Sequence, residues 1–403
     1  HNSDGIYACG NLVFKSSDEG TNWEVISPDL TRDDKSKQGP SGGSITKDDT
    51  GAEHYCTIFA FAESPLTAGL LWVGTDDGVV QVSHDGGANW EDVTPKGMPE
   101  WTLVSTIEAS PHDPAVAYIA ATRYKLDDNR PFVFRTSNYG KDWDLIIDGI
   151  PDEEFTRVIR EDPERRGLLY LGTEYGMFVS FDDGNLWLSM QNNLPVVPIH
   201  DLVVKDNDLV AATHGRSFWI LDNLTHLHQI RDDVTDSKIH LFSPRDTYRY
   251  LTTTGYDLPP GAGKNYVWPS TVGGVYVTYY HAKNSKGETY RKLLDAGYNP
   301  PEGVSVTYYL KENCKDKLTL SFFEESGSLI KSFSSIGDDN APKLLSESGT
   351  NQFVWDMKYP DAHQMEGDIT TKGAMAGPVA PPGRYKVELK VLGEVFSLSL
   401  IHI

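Results

Sequence analysis

Ser83-His-Asp85-Gly-Gly87-Ala-Asn-Trp90 is the stretch whose chemistry decides the fold. An aspartate hydrogen-bonds the backbone of its own turn, and a serine does so more weakly. A glycine supplies the positive φ of a tight hairpin. The tryptophan then opens the next strand with a large apolar surface to bury. The same pattern returns as Ser16-Ser-Asp18-Glu-Gly20-Thr-Asn-Trp23, Thr136-Ser-Asn138-Tyr-Gly140-Lys-Asp-Trp143 and Ser180-Phe-Asp182-Asp-Gly184-Asn-Leu-Trp187. One copy would be a weak signal; four copies in matching surroundings define an internal repeat.

The flanks repeat as well. Ahead of each hairpin runs an alternating strand that ends in a small residue: Ile6-Tyr-Ala-Cys-Gly10, Leu71-Trp-Val-Gly-Thr75, Ala117-Tyr-Ile-Ala-Ala-Thr122 and Leu169-Tyr-Leu-Gly-Thr173. A fifth copy, Leu209-Val-Ala-Ala-Thr213, continues to Phe218-Trp-Ile-Leu221 without the hairpin motif. Successive tryptophans are 67, 53 and 44 residues apart, with the extra length in loops. Units of about four short strands at this period predict the blades of a β-propeller over residues 1–224.

These motifs resemble the Asp-box (BNR) repeat family, which includes sialidases, xyloglucanase-like glycoside hydrolases and sortilin-type receptor propellers. Trp72-Val-Gly-Thr-Asp-Asp-Gly78, Val158-Ile-Arg-Glu-Asp-Pro163 and Thr213-His-Gly-Arg-Ser-Phe-Trp-Ile-Leu-Asp222 are similar to large secreted bacterial proteins of the sortilin-like or BNR-repeat glycosyl hydrolase kind, as is Gly51-Ala-Glu-His-Tyr-Cys-Thr57. The resemblance implies that the box aspartates Asp18, Asp85 and Asp182 sit at the blade rim as structural clasps. It also implies a larger ring, with further blades upstream of His1 as a partner surface. The first unit lacks its innermost strand and the chain carries no leader, so it reads as a piece of a longer, exported protein, extracellular, periplasmic or on the cell surface.

Residues 225–298 read as a mixed connector, with Asp257-Leu-Pro-Pro-Gly-Ala-Gly263 loop-like. From 299 to 403 alternating strands take over, among them Val304-Ser-Val-Thr-Tyr-Tyr-Leu310, Lys317-Leu-Thr-Leu-Ser-Phe-Phe323 and Gly383-Arg-Tyr-Lys-Val-Glu-Leu389. Short strands with frequent turns predict an immunoglobulin-like β-sandwich. The fold class expected is therefore all-β, a partial propeller of about five four-stranded blades followed by the sandwich.

Composition narrows the function. A net charge of −22 repels phosphate backbones and argues against nucleic acid. No apolar window of about 20 residues occurs, so no helical membrane insertion is expected. Three dispersed cysteines, without CxxC spacing or a Cys/His cluster, give no zinc site. No cofactor is expected. Asp127-Asp-Asn129 has calcium-type residues but not a full ligand set.

In a propeller the inner strand ends converge on a central funnel. The position after each small-residue strand reads Gly10 or Asn11, then Asp76, Arg123, Glu174 and His214, with Asp77, Tyr124, Tyr175 and Arg216 beside them. Asp76 resembles the catalytic aspartate context of xyloglucanase-like enzymes, and an Asp76/Glu174 pair is the carboxylate arrangement glycoside hydrolysis requires. Arg123, His214, Arg216, Asp77 and Tyr175 are the ligand-binding candidates. The bland account is that all of these are turn residues, where polar side chains are common. Glu53-His54 is placed near the funnel mouth, and Arg157, Arg160, Arg165 and Arg166 among surface ion pairs. The leading expectation is a secreted module that binds a glycan or an extracellular protein and is not an enzyme. The alternatives are a glycoside hydrolase and an assembly or scaffolding factor.

Overall fold

The computed structural model describes residues 5–39, 54–248, 265–267, 277–283, 289–294, 297, 300–337, 342–362 and 377–402. Almost all of its regular structure is strand. The chain divides into two compact units, His1–Leu224 and Thr225–Ile403.

The first unit is a β-propeller array of five consecutive antiparallel sheets among the described residues. Blade 1 holds Ile6–Cys9, Val13–Ser16 and Glu24–Val25. Blade 2 runs Ile58–Glu63, Leu71–Thr75, Val80–Ser83 and Glu91–Asp92. Blade 3 is Leu103–Ala109, Ala117–Arg123, Asp128–Thr136 and Asp144–Leu145, and blade 4 is Thr156–Glu161, Leu169–Thr173, Met177–Ser180 and Leu188–Ser189. Blade 5 is Ile199–Lys205, Asp208–Thr213 and Phe218–Leu221. Three sheets thus have four strands and two have three. Blade 5 stops at its third strand because the turn and tryptophan that launch a fourth are missing from its sequence.

The first strands of blades 2 to 5 lie each against the next. The small residue noted in the second strand makes this approach possible. A Cβ on Gly74 would fall 2.3 Å from the Val104 side chain of blade 3, and one on Gly172 2.8 Å from that of Ile199 of blade 5. The space between sheets is filled by apolar residues from both neighbours. Trp72, Val80, Val104, Ile119 and Phe134 fill it between blades 2 and 3, and Tyr118, Val133, Ile159, Leu171 and Trp187 between blades 3 and 4.

The repeated hairpin links the third and fourth strands of a blade. Ser83 Oγ accepts the Gly87 N–H at 2.9 Å, and Asp85 Oδ1 accepts the Asn89 N–H at 2.8 Å. Ser16/Asp18, Thr136/Asn138 and Ser180/Asp182 repeat the arrangement. The motif does more than clasp its own turn. Trp90 Nε1 donates to the Ile26 carbonyl of blade 1 (3.2 Å), Trp143 Nε1 to Val93 of blade 2 (2.7 Å), and Trp187 Nε1 to Ile146 of blade 3 (2.9 Å). Each of these three box tryptophans therefore ties its blade to the one before. Trp23, in blade 1, donates to Gly20 of its own hairpin and is 44% exposed.

The second unit contains a β-sandwich. Ile239–Leu241, Val304–Leu310 and Gly349–Trp355 form one sheet; Leu329–Ser334, Thr319–Glu324, Gly383–Val391 and Glu394–His402 form the other. Both contribute to a single core in which Trp355 stacks on Phe322 at 4.5 Å. Ile239–Leu241 comes from the segment read as connector. That segment also carries the helices Thr225–Gln229 and Asp232–Asp236 and a small sheet of Asn265–Val267, Val277–Lys283 and Thr289–Leu293. The Asp257 to Gly263 loop lies outside the described residues.

Candidate functional site

One backbone contact recurs at the same end of the blades. The residue leaving the second strand donates its N–H to the carbonyl of a residue entering the first: Asp76 to Thr57 (2.9 Å), Glu174 to Phe155 (3.2 Å) and His214 to Pro198 (2.9 Å). In blade 3, Arg123 leaves the second strand and Thr122 pairs with Leu103 at the start of the first. Asp76, Arg123, Glu174 and His214 thus occupy corresponding positions on consecutive sheets. We call this the strand-end face. In blade 1 the Gly10 carbonyl accepts the Ile58 N–H (2.8 Å), and Asn11 donates to Asp29.

Asp76 is 9% exposed, and its Oδ1 accepts the N–H groups of Cys56 (2.9 Å) and Thr57 (2.8 Å). Burial raises its pKa, and the two amides oppose the rise. Asp77 is fully buried. Its Oδ1 accepts the Thr75 hydroxyl (2.5 Å) and its Oδ2 the Arg32 N–H (2.9 Å), while Arg32 Nε donates to its carbonyl (2.7 Å). That assigns Asp77 to holding the loop after blade 1 rather than to a ligand.

Arg123 Nη1 binds Asp128 at 2.8 Å, and Arg130 grips the same carboxylate through Nε and Nη2. These contacts hold Asp128 well below the usual carboxylate range. Asp128, in the Asp127-Asp-Asn129 loop, thus serves two guanidinium groups. Among the described residues no group of three or more His, Cys, Asp or Glu side chains is arranged to hold a metal ion.

Glu174 Oε2 accepts from both Nε (2.7 Å) and Nη2 (2.5 Å) of Arg157. The Arg157 guanidinium also lies over the rings of Phe155 (5.0 Å) and Tyr124 (5.5 Å), which stack on each other at 5.1 Å. The His214 ring lies 4.9 Å from that of His200. Burial, then Arg157 and His214, lower the His200 pKa. Tyr175 and Arg216 are exposed. His54 is half-buried, and Glu53 lies outside the described residues. Of the other arginines, Arg160 pairs with Glu108 and Asp201, and Arg166 with Asp113.

The face also holds residues that strand-exit positions alone did not single out. Tyr55 and Trp101 meet edge-to-face at 5.4 Å, with Arg32 (5.8 Å) and Lys37 (5.9 Å) over the Trp101 ring. Trp101 has φ +62° and Cys56, next to Tyr55 in the chain, φ +75°. Bulky residues in the left-handed region are strained, and such strain gathers at functional sites. Tyr55, Trp101, Phe155 and His200 all lie at or beside the entry of a first strand, the position that pairs with a second-strand exit. The same register that gave Asp76 and Glu174 would have found them. Aromatic rings beside cations thus recur along this face at blades 2 to 4, with the His200–His214 pair at blade 5. A groove of about 570 Å³, lined by Glu91, Lys96, Phe134, Lys141 and Trp143 among others, lies instead at the rim of blades 2 and 3.

No family model and no curated protein matches the chain. Among solved structures it is similar to the GH74 xyloglucanase from Xanthomonas campestris, at 12% identity and TM-score 0.43, covering 99% of this chain and 75% of that one. The GH74 enzyme from Niastella koreensis follows at 11% and 0.40, covering 98% and 61%. YCF48 bound to the D1 peptide matches at 14% and 0.34, covering 54% and 61%. The chain spans 37% of the length of an ancestral GH74 enzyme, at 13% identity and TM-score 0.40 over 83% of this chain.

Proposed function

We propose that this is a secreted or cell-surface Asp-box propeller protein that binds a polysaccharide on the strand-end face, with an Ig-like sandwich as spacer or docking module. The observation that carries this is the succession of aromatic contacts, Tyr55–Trp101 and Tyr124–Phe155, on consecutive blades of one face. Flat rings present an apolar body at low entropic cost, which suits the C–H face of a sugar. Tyr124 keeps 39% and Tyr175 49% of their surface exposed. Electrophoresis through gels containing soluble polysaccharides tests the proposal. At least one polysaccharide should retard the protein, and Trp101→Ala with Tyr124→Ala should abolish the retardation. Retardation that survives both changes would place the ligand elsewhere.

A hydrolytic reading has one observation in its favour: burial raises the Asp76 pKa, as a general acid requires. Against it stand the two backbone N–H bonds to Asp76 and the ion pair of Glu174 with Arg157. Binding is therefore the preferred reading. Release of reducing ends that disappears in Asp76→Asn would reverse that preference.

A further inference from the structure

We propose that the polysaccharide bound by the strand-end face is acidic, a chain bearing sugar carboxylates, recognised by Arg157, His200, His214 and Arg216. This rests on the saccharide reading above and names the class of saccharide. The chain as a whole carries −22, so a generic patch of its surface is acidic. The strand ends of blades 3 to 5 carry both signs. Arg123, Lys125, Arg157, Arg216 and two histidines stand there beside Asp127, Asp152, Glu153 and Glu154; Asp128 and Glu174 are each held by a guanidinium, and Glu154 accepts the Thr173 hydroxyl.

Hydrogen-bonding capacity remains on the cations. Arg157 uses Nε and Nη2 on Glu174, which leaves Nη1 without a hydrogen bond among the described residues. No side-chain nitrogen of His200, His214 or Arg216 is hydrogen-bonded to a described residue; His200 and His214 meet through their rings, and Arg216 is engaged through its backbone carbonyl.

The pairing of ring and cation separates an acidic from a neutral sugar. A neutral saccharide needs the ring alone. A uronic acid offers a C–H face for the ring and, at its edge, a carboxylate for the neighbouring guanidinium. That combination occurs twice, with Arg32 and Lys37 over Trp101 and with Arg157 over Tyr124 and Phe155. A planar guanidinium matches a carboxylate in a forked geometry, and a charged hydrogen bond is stronger than a neutral one.

The test is calorimetric titration of the full chain with oligogalacturonate and with the same oligomer after reduction of its carboxyl groups to neutral galactose. Oligogalacturonate should bind at least about tenfold more tightly. The double variant His214→Gln, Arg216→Gln alters exposed side chains without hydrogen-bond partners among the described residues, so it should melt at the wild-type temperature. It should lose about tenfold in affinity for the acid and nothing for the neutral oligomer. Arg157→Gln serves as a second variant with the same expectation. Equal affinity for both oligomers overturns the inference and leaves the saccharide reading intact. Binding of neither also overturns the inference, and the gel-retardation test then decides the saccharide reading separately. Polyglutamate displacing oligogalacturonate at equal concentration also overturns it, because the face would then read charge without a sugar ring.

Discussion

Two glycines in equivalent places of the repeat should respond differently to the same substitution. Gly20 and Gly87 hold the same position in their hairpins, at φ +85° and +100°. Alanine in that left-handed region costs roughly 1–2 kcal/mol. Gly20→Ala adds little else, since the nearest atom to the new Cβ is a ring carbon of Trp23 at 3.7 Å. Gly87→Ala would put its Cβ 2.6 Å from the Ile26 carbonyl oxygen and 2.9 Å from the Ile26 side chain. The carbonyl belongs to the backbone that Trp90 also binds, so it cannot swing aside, and such overpacking costs about 1–3 kcal/mol more. With a urea slope of about 2 kcal/mol per molar, the Gly87→Ala midpoint should lie about 0.5–1.5 M below that of Gly20→Ala. Tryptophan fluorescence reports the right unit: Trp23, Trp72, Trp90, Trp101, Trp143, Trp187 and Trp219 make seven of the nine tryptophans. Equal midpoints for the two variants would show that the box glycine serves only its own turn and that the blade-to-blade clamp is misassigned.

Three further outcomes follow from the packing. Trp187→Phe removes the bond to the buried Ile146 carbonyl and should cost about 1–3 kcal/mol, whereas Trp23→Phe, which affects only its own hairpin, should cost under about 1; chemical denaturation of the pair distinguishes them. Burial pushes the Glu108 carboxyl up to about 7, although Arg160 lies 3.3 Å away. The folded state therefore holds a proton that the unfolded state releases near 4.5, and this contribution to stability is complete below 4.5 and lost as pH rises through 7. The shift corresponds to about 3 kcal/mol at most. With 21% of the side chain exposed, about 2 kcal/mol is expected; Glu108→Gln should gain it at pH 8 and nothing at pH 4, and a gain independent of pH would refute the assignment. Trp355→Ala empties the centre of the sandwich, where Trp355 is fully buried against Phe322, and should cost about 3–5 kcal/mol by thermal unfolding followed in the far ultraviolet.

The blades were legible because their determinants are local. The serine and aspartate of each box act within the turn that contains them, so four residues of sequence carry the whole hydrogen-bond pattern. The small residue of the second strand was legible as a regularity, but its cause was not. Only the structure shows Val104 against Gly74 and Ile199 against Gly172. The tryptophan ties were hidden for the same reason, since Trp143 reaches Val93 across 50 residues of sequence. Asp77 shows the limit for the site. Next to Asp76 in a turn it reads as an equivalent ligand group, yet Arg32, 45 residues earlier, takes its carboxylate into the interior. The partners of Glu174 were equally out of reach, because Arg157 joins it only through the register of two strands.

The two ends of a blade are built by different means, and this explains why one end could be read and the other could not. At the rim, side chains make the structure. The box serine, aspartate, glycine and tryptophan each have a partner that few other residues could replace, so the pattern repeats from blade to blade. At the strand-end face the recurring contact is made by the backbone alone, from the N–H of Asp76, Glu174 or His214 to a carbonyl at the first-strand entry. A backbone bond places no demand on the side chain it belongs to. An aspartate, a glutamate and a histidine therefore stand in one structural position at no cost to the fold. Rings and cations at the matching entries are free to vary in the same way. A face whose frame is fixed by main-chain bonds can carry different side chains at equivalent positions, which suits it to recognition, and its specificity resides in residues that no repeat pattern can single out.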